Sequence, residues 1–138
     1  MNLRQLIASE FVTVEVDLDT SFLQTTWLQQ PDSAQFREQL QRVIDYILTH
    51  QINKTLFDTR ARAYLEIADQ NWVIREIFPL FKERAVRFAY LISPMALEAL
   101  DVFRIQFALE TDDSSTKKMQ IKLFLYKDEA LQWLWQTE

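Results

Sequence analysis

The sequence predicts an α/β fold, a single domain spanning residues 1–138. An N-terminal β-hairpin is followed by alternating helices and strands, giving a mixed sheet of about five strands with about four helices. Three observations lead there. Two strand-period runs lie either side of a short polar turn. A long helix-period stripe follows them. Short continuous apolar runs, the type expected of buried parallel strands, then alternate with further helical patterns.

Phe11–Val16 alternates, with Val12, Val14 and Val16 on one face. Phe22–Leu28 is the second strand, and its Thr25-Thr26-Trp27 suits a pleated surface. Asp17–Ser21 joins them and contains neither Gly nor Asn, so a longer loop is expected in place of a tight hairpin turn. Pro31-Asp32-Ser33 signals a helix start. Phe36, Leu40, Val43, Ile44, Ile47 and Leu48 then form one apolar stripe, with Arg37, Glu38, Arg42 and Asp45 opposite. His50 falls in the last turn, where it suits the helix dipole. Thr55-Leu56-Phe57, ending at Asp58, reads as a buried parallel strand. A helix is expected over Asp69–Arg84, kinked or broken just before Pro79. Val86–Ile92 is another buried strand, and Ser93-Pro94 reads as a cap with Pro at the first helical position. Ala96, Ala99, Leu100, Phe103 and Phe107 mark that helix. Residues 110–118 form a polar loop, Met119–Tyr126 alternates as a strand, and Asp128 caps a last helix holding Ala130, Leu131, Trp133, Leu134 and Trp135.

Composition closes many functions. The chain has no Gly where about ten are usual, no Cys, one His and a net charge of -5. Neither glycine-dependent nucleotide cradle is available, nor a G-x-S-x-G nucleophile elbow. No thiolate attacks a substrate or holds zinc or iron–sulfur, and one His makes no multi-His metal site. No cofactor and no metal are therefore expected. The acidic balance argues against a nucleic-acid partner and against anionic lipid surfaces. No apolar stretch approaches the length of a membrane span, and Met1–Ala8 is not followed by a signal-peptide core, so no membrane insertion and a cytoplasmic location are expected. Asn53-Lys54-Thr55 matches the glycosylation pattern by chance.

In open α/β sheets, ligands bind beyond the carboxyl ends of parallel strands. Here those ends lead into Asp58–Arg62, Ser93-Pro94 and Lys127-Asp128. Asp58, Thr59, Arg60, Arg62 and Ser93 are accordingly the candidate partner or ligand residues. Arg60 and Arg62 suit a carboxylate or phosphate; the alternative is a local ion pair with Asp58. The pairs Asp17/Asp19 and Asp112/Asp113 read as solvated loop residues with no catalytic role. Trp72 and Trp133 read as core, while Trp27 and Trp135 are expected to be partly exposed.

Four segments in order, Lys54-Thr55-Leu56-Phe57-Asp58-Thr59-Arg60, Trp72-Val73-Ile74-Arg75-Glu76-Ile77-Phe78-Pro79, Arg87-Phe88-Ala89-Tyr90-Leu91 and Asp128-Glu129-Ala130-Leu131-Gln132-Trp133-Leu134, resemble the STAS (sulfate transporter and anti-sigma-factor antagonist), SpoIIAA-like superfamily. The nearer likeness is to its bacterial branch that is grouped with lipid-binding CRAL-TRIO-like folds. The resemblance spans roughly residues 50–135; the hairpin and first helix agree in pattern alone. It implies a SpoIIAA-like domain and, because Asp58-Thr59 matches the antagonists' Asp-Ser/Thr step, phosphorylation at Thr59 by a partner kinase. Arg60-Ala61-Arg62-Ala63-Tyr64 stands where the family has a small Gly-containing turn.

The leading expectation is a non-enzymatic regulatory or protein-interaction domain resembling anti-sigma-factor antagonists, binding a protein partner through Asp58–Arg62 and the helix from Asp69. The alternative is a small apolar-ligand or lipid-binding protein, which requires a pocket of roughly 300 Å³. A homodimer follows if Trp27, Trp135 or the hairpin edge is exposed.

Overall fold

The computed structural model describes residues 1–62, 64–94 and 118–136. A mixed sheet of six strands runs in the order β1 Arg4–Ala8, β2 Val12–Asp17, β3 Phe22–Trp27, β4 Lys54–Asp58, β5 Arg87–Leu91 and β6 Gln120–Phe124. β1, β2 and β3 pair antiparallel, and β3 to β6 pair parallel.

The α/β class holds, with one strand more than expected. Arg4–Ala8 shows no alternation because a bulge between Gln5 and Ile7 resets its period, which lets both Leu6 and Ile7 pack on the core. Its turn is closed by Ser9, whose hydroxyl accepts from the Phe11 and Val12 amides. The hairpin of β2 and β3 forms as expected. Asp17 is not solvated, however. It is buried, which pushes its pKa up, but its carboxylate accepts from the Asn2 and Asp19 amides, and the net direction is down.

Helix α1, Ser33–His50, starts with a reciprocal cap: Asp32 accepts from the Gln35 amide and the Gln35 side chain accepts from the Asp32 amide. His50 ends it, stacked on Tyr46 at 3.9 Å. The helix expected over Asp69–Arg84 begins earlier and changes pitch. It is α-helical over Ile67–Trp72 (α2), widens to a π turn over Val73–Ile77, and tightens to a 3-10 turn over Phe78–Phe81. Pro79 has no N–H to donate to an α-helical partner, and the change of pitch falls in the turn around it. Helix α3, Lys127–Trp135, is preceded by Tyr126 with no side-chain cap. Asp128 does not cap it but lies in its first turn, where its charge still suits the dipole. The helix expected after Ser93-Pro94 and the loop at residues 110–117 lie outside the described residues.

The strand order advances one way from β3 to β5, and right-handed crossovers then place the helical segments that join these strands on one face. The packing agrees. Phe36, Val43, Ile44 and Ile47 of α1, with Val73, Ile77 and Phe81, share one core with Val12, Val14, Val16, Leu23, Phe57 and Phe88. Each such burial contributes about 1.5–3 kcal/mol. Helix α3 follows the last strand after a two-residue bend, Leu125-Tyr126, and covers the other face. There Ala130 and Leu134 meet Phe22, Leu56, Ala89, Leu91 and Phe124. Among the described residues, no helix is long and apolar enough to cross a membrane.

Candidate functional site

The carboxyl ends of β3, β4 and β5 lie side by side, and the segment after β4 crosses them. Strand pleating decides where its side chains go. Asp58 is in register with Leu91 and Phe124, on the face that α3 covers. Phe57 and Tyr90 are in register with Thr25, on the face that α1 covers. The five consecutive residues that look like one cluster in sequence therefore part company at the sheet edge.

Asp58 and Arg60 form a local ion pair. The carboxylate accepts from the Arg60 amide at 3.1 Å, from Nε at 3.0 Å and from Nη2 at 2.8 Å. The hydrogen bonds to Asp58 raise the Arg60 pKa further; burial opposes this, and the carboxylate's charge adds to it. Arg60 is half in solvent, so the pair contributes about 1 kcal/mol or less. Thr59 is 3% exposed. Its amide and its hydroxyl both donate to the Leu91 carbonyl, at 2.9 and 3.0 Å. A kinase reaches that oxygen only after this junction between β4 and β5 opens. Ser93 is half-buried two residues beyond Leu91.

Arg62 takes the opposite course from Arg60. A turn closed by its amide on the Thr59 carbonyl swings it back under α1. It is 6% exposed. Its guanidinium carbon lies 5.5 Å from the Trp27 ring centre and 5.2 Å from that of Phe36. Those rings are stacked on each other at 5.6 Å. Nη2 donates to the Tyr90 hydroxyl at 3.0 Å. Nη1 is buried with no hydrogen-bond partner among the described residues. Trp27, expected to be partly exposed, is 2% exposed because α1 and Arg62 close over it; Trp135 stays half-exposed.

Among the described residues, Arg62 and Tyr90 are the polar members of the wall of an otherwise apolar chamber between the sheet and the helices. Phe57, Leu40, Ile44, Val73, Ile77 and Phe81 supply much of the rest. The chamber measures about 40 Å³, well below the roughly 300 Å³ expected of a drug-sized ligand site. Sequence reasoning singled out Arg62 but missed Trp27, Phe36 and Tyr90 as its surroundings. Strand parity puts Tyr90 on that face only once the register with Phe57 is known.

A wider cleft of about 430 Å³ lies at the opposite end, where β4, β5 and β6 begin. Its cations hold α3 in place. Arg87 donates to the Trp133 and Gln136 carbonyls at 2.7 and 2.6 Å, and Lys54 lies 5.3 Å from the Trp135 ring centre. Burial, and secondarily the charge of Arg87, push the Lys54 pKa down. Basic groups at a helix C-terminus satisfy its last carbonyls, and this arrangement fits that structural role.

Compared with protein-family models, curated proteins and solved structures, the chain matches none.

Proposed function

We propose that the chain is a non-enzymatic regulatory or interaction domain, of the kind anti-sigma-factor antagonists exemplify, that docks a protein partner at the carboxyl ends of its parallel strands. The observation that supports this is the segment joining β4 to α2. The polar groups of Asp58, Thr59 and Arg60 are engaged within the chain, leaving no free nucleophile beside a base among the described residues there. Tyr64 and Ile67, a few residues on, stand 50% and 66% exposed. Apolar side chains held outward by a fixed backbone suit a partner with its own apolar patch. The test is tagged purification from the native cell, with Tyr64→Ser/Ile67→Ser as the comparison. One partner in near-equal amount, lost about tenfold or more in the variant, supports the reading. No such partner, or equal retention by a variant whose circular dichroism is unchanged, overturns it.

One specific observation favours the second reading, a small apolar-ligand site: among the described residues, a charged Arg62 with Nη1 unbonded stands in the wall of a chamber that is otherwise apolar. The size of that chamber restricts such a ligand to a few heavy atoms.

A further inference from the structure

We propose that the chamber beneath α1 is a halide site that takes chloride, held by Arg62 Nη1 and the Tyr90 hydroxyl as the counter-ion of the buried guanidinium. The proposal is independent of the docking reading, and it puts an ion in the chamber where the second reading puts an apolar ligand.

The argument starts from charge. A guanidinium carries five N–H donors, keeps its charge, and is expensive to bury without partners. Arg62 is buried. Among the described residues the ion pairs join Arg37 to Asp69 and Arg60 to Asp58, and Arg62 takes part in neither. Stacking over Trp27 and Phe36 returns part of the cost by cation–π attraction. The Tyr90 hydroxyl answers one donor. Nη1 has no partner among the described residues, on a side chain that lines the chamber. An arginine kept only for packing is matched or bettered by a leucine or methionine at such a place. An arginine kept for a bound anion needs a site beside it that the anion fits.

Size and charge choose the occupant. A chamber of about 40 Å³ has room for roughly three waters at about 10–15 Å³ each, too little for an organic acid with an alkyl chain. Phosphate and sulfate are bulkier than a water and carry oxygens on every side, and among the described residues only Arg62 and Tyr90 offer donors in the wall. A water fits and accepts from Nη1, but it leaves the charge unanswered. Chloride is one atom, little larger than a water, and it answers both the donor and the charge. In apolar surroundings its attraction to the guanidinium far exceeds the value in bulk water, which offsets its lost hydration. The Tyr90 hydroxyl accepts from Arg62 Nη2 and has its own proton free to donate to the ion. The space left beside the ion suits a water.

Two measurements on the whole protein test this: melting in sodium chloride against sodium gluconate at equal ionic strength, and broadening of the chloride NMR line. Gluconate is too large for the chamber. An ion bound by the folded state alone raises the melting temperature, by about 3 °C or more once chloride is about tenfold above its Kd. The parent is expected to show that rise and to broaden the chloride line, with added bromide narrowing the line by displacement. Arg62→Met, an apolar replacement of similar length, is expected to fold and to lose both effects. Tyr90→Phe, which keeps the ring, is expected to need about fivefold to tenfold more chloride for the same broadening. Should Arg62→Met not fold, the comparison of the parent with Tyr90→Phe decides. A line that the parent leaves narrow, or a parent that melts alike in the two salts, overturns the proposal and gives Nη1 to an internal water. Broadening retained in full by Arg62→Met or by Tyr90→Phe overturns it as well, because the ion then sits elsewhere. Either failure leaves the docking reading standing, since Tyr64→Ser/Ile67→Ser tests that reading separately.

Discussion

Among the described residues, two carry the strain that a glycine-free chain must accept. Ser21 and Gln51 have φ of 56° and 52° with no glycine at either place. Ser21 is held there by its side chain, which accepts from the Asn53 amide and donates to the Gln51 carbonyl. Gln51 is the C-cap of α1, its backbone left-handed and its side chain exposed. Only glycine takes that conformation without a steric penalty. Gln51→Gly is therefore expected to raise stability by up to about 1 kcal/mol. Ser21→Gly is expected to gain less, because it also loses two hydrogen bonds. Urea unfolding of the two variants against the parent checks both. A Gln51→Gly protein less stable than the parent would contradict the account of this cap. Arg62 belongs to the same scale, since one nitrogen of a buried charge, unbonded among the described residues, distinguishes the chamber from ordinary core.

At the scale of elements, the two helical segments that cover the chamber are clasped by one carboxylate. Asp69 of α2 is buried and accepts from the Ser33 hydroxyl at 2.6 Å and from Arg37 Nε at 2.7 Å, both on α1. Arg37 in turn lies 5.3 Å from the Trp72 ring centre. Asp69→Ala is expected to cost about 1.5–3 kcal/mol, the range for hydrogen bonds to charged groups. Arg37→Ala is expected to cost less, because Arg37 is partly in water. A thermal-melt series that ranks Arg37→Ala as the worse of the two would contradict the clasp. On the other face, Leu134 of α3 sits against the sheet at 3% exposure. Leu134→Ala is expected to cost about 2–5 kcal/mol in denaturant unfolding. A cost under 1 kcal/mol would mean that α3 is not part of the folded core.

Much of this level could be read from residue order. The stripe from Phe36 to Ile47 and the alternation of Val12, Val14 and Val16 announce which faces are buried, and both periods survive folding unchanged. Arg4–Ala8 could not be read, because its bulge breaks the alternation that marks a strand. The clasp at Asp69 was hidden for a different reason. Arg37 lies on the polar side of the stripe, and its partner is 32 residues away on an element placed by the sheet. The change of pitch before Pro79 was visible from the proline alone; its form, a π turn followed by a 3-10 turn, was not.

At the scale of the molecule, the parallel strands divide the protein into two ends. The amino end spends Lys54 and Arg87 on fastening α3. The carboxyl end carries the Asp58–Arg60 pair, the buried Thr59 junction and the Arg62 chamber, with Tyr64 and Ile67 exposed beyond them. The order of residues pointed to this end by the general rule for open α/β sheets. It did not show that Asp58 and Arg62 separate to opposite faces, because that depends on the parity of β4 and on the turn at Thr59. The most direct measurement is tagged purification of the protein from its native cell, the parent beside Tyr64→Ser/Ile67→Ser. The account predicts one protein partner in near-equal amount on the parent and its loss from the variant. No such partner, or equal retention by a variant whose circular dichroism is unchanged, would contradict it.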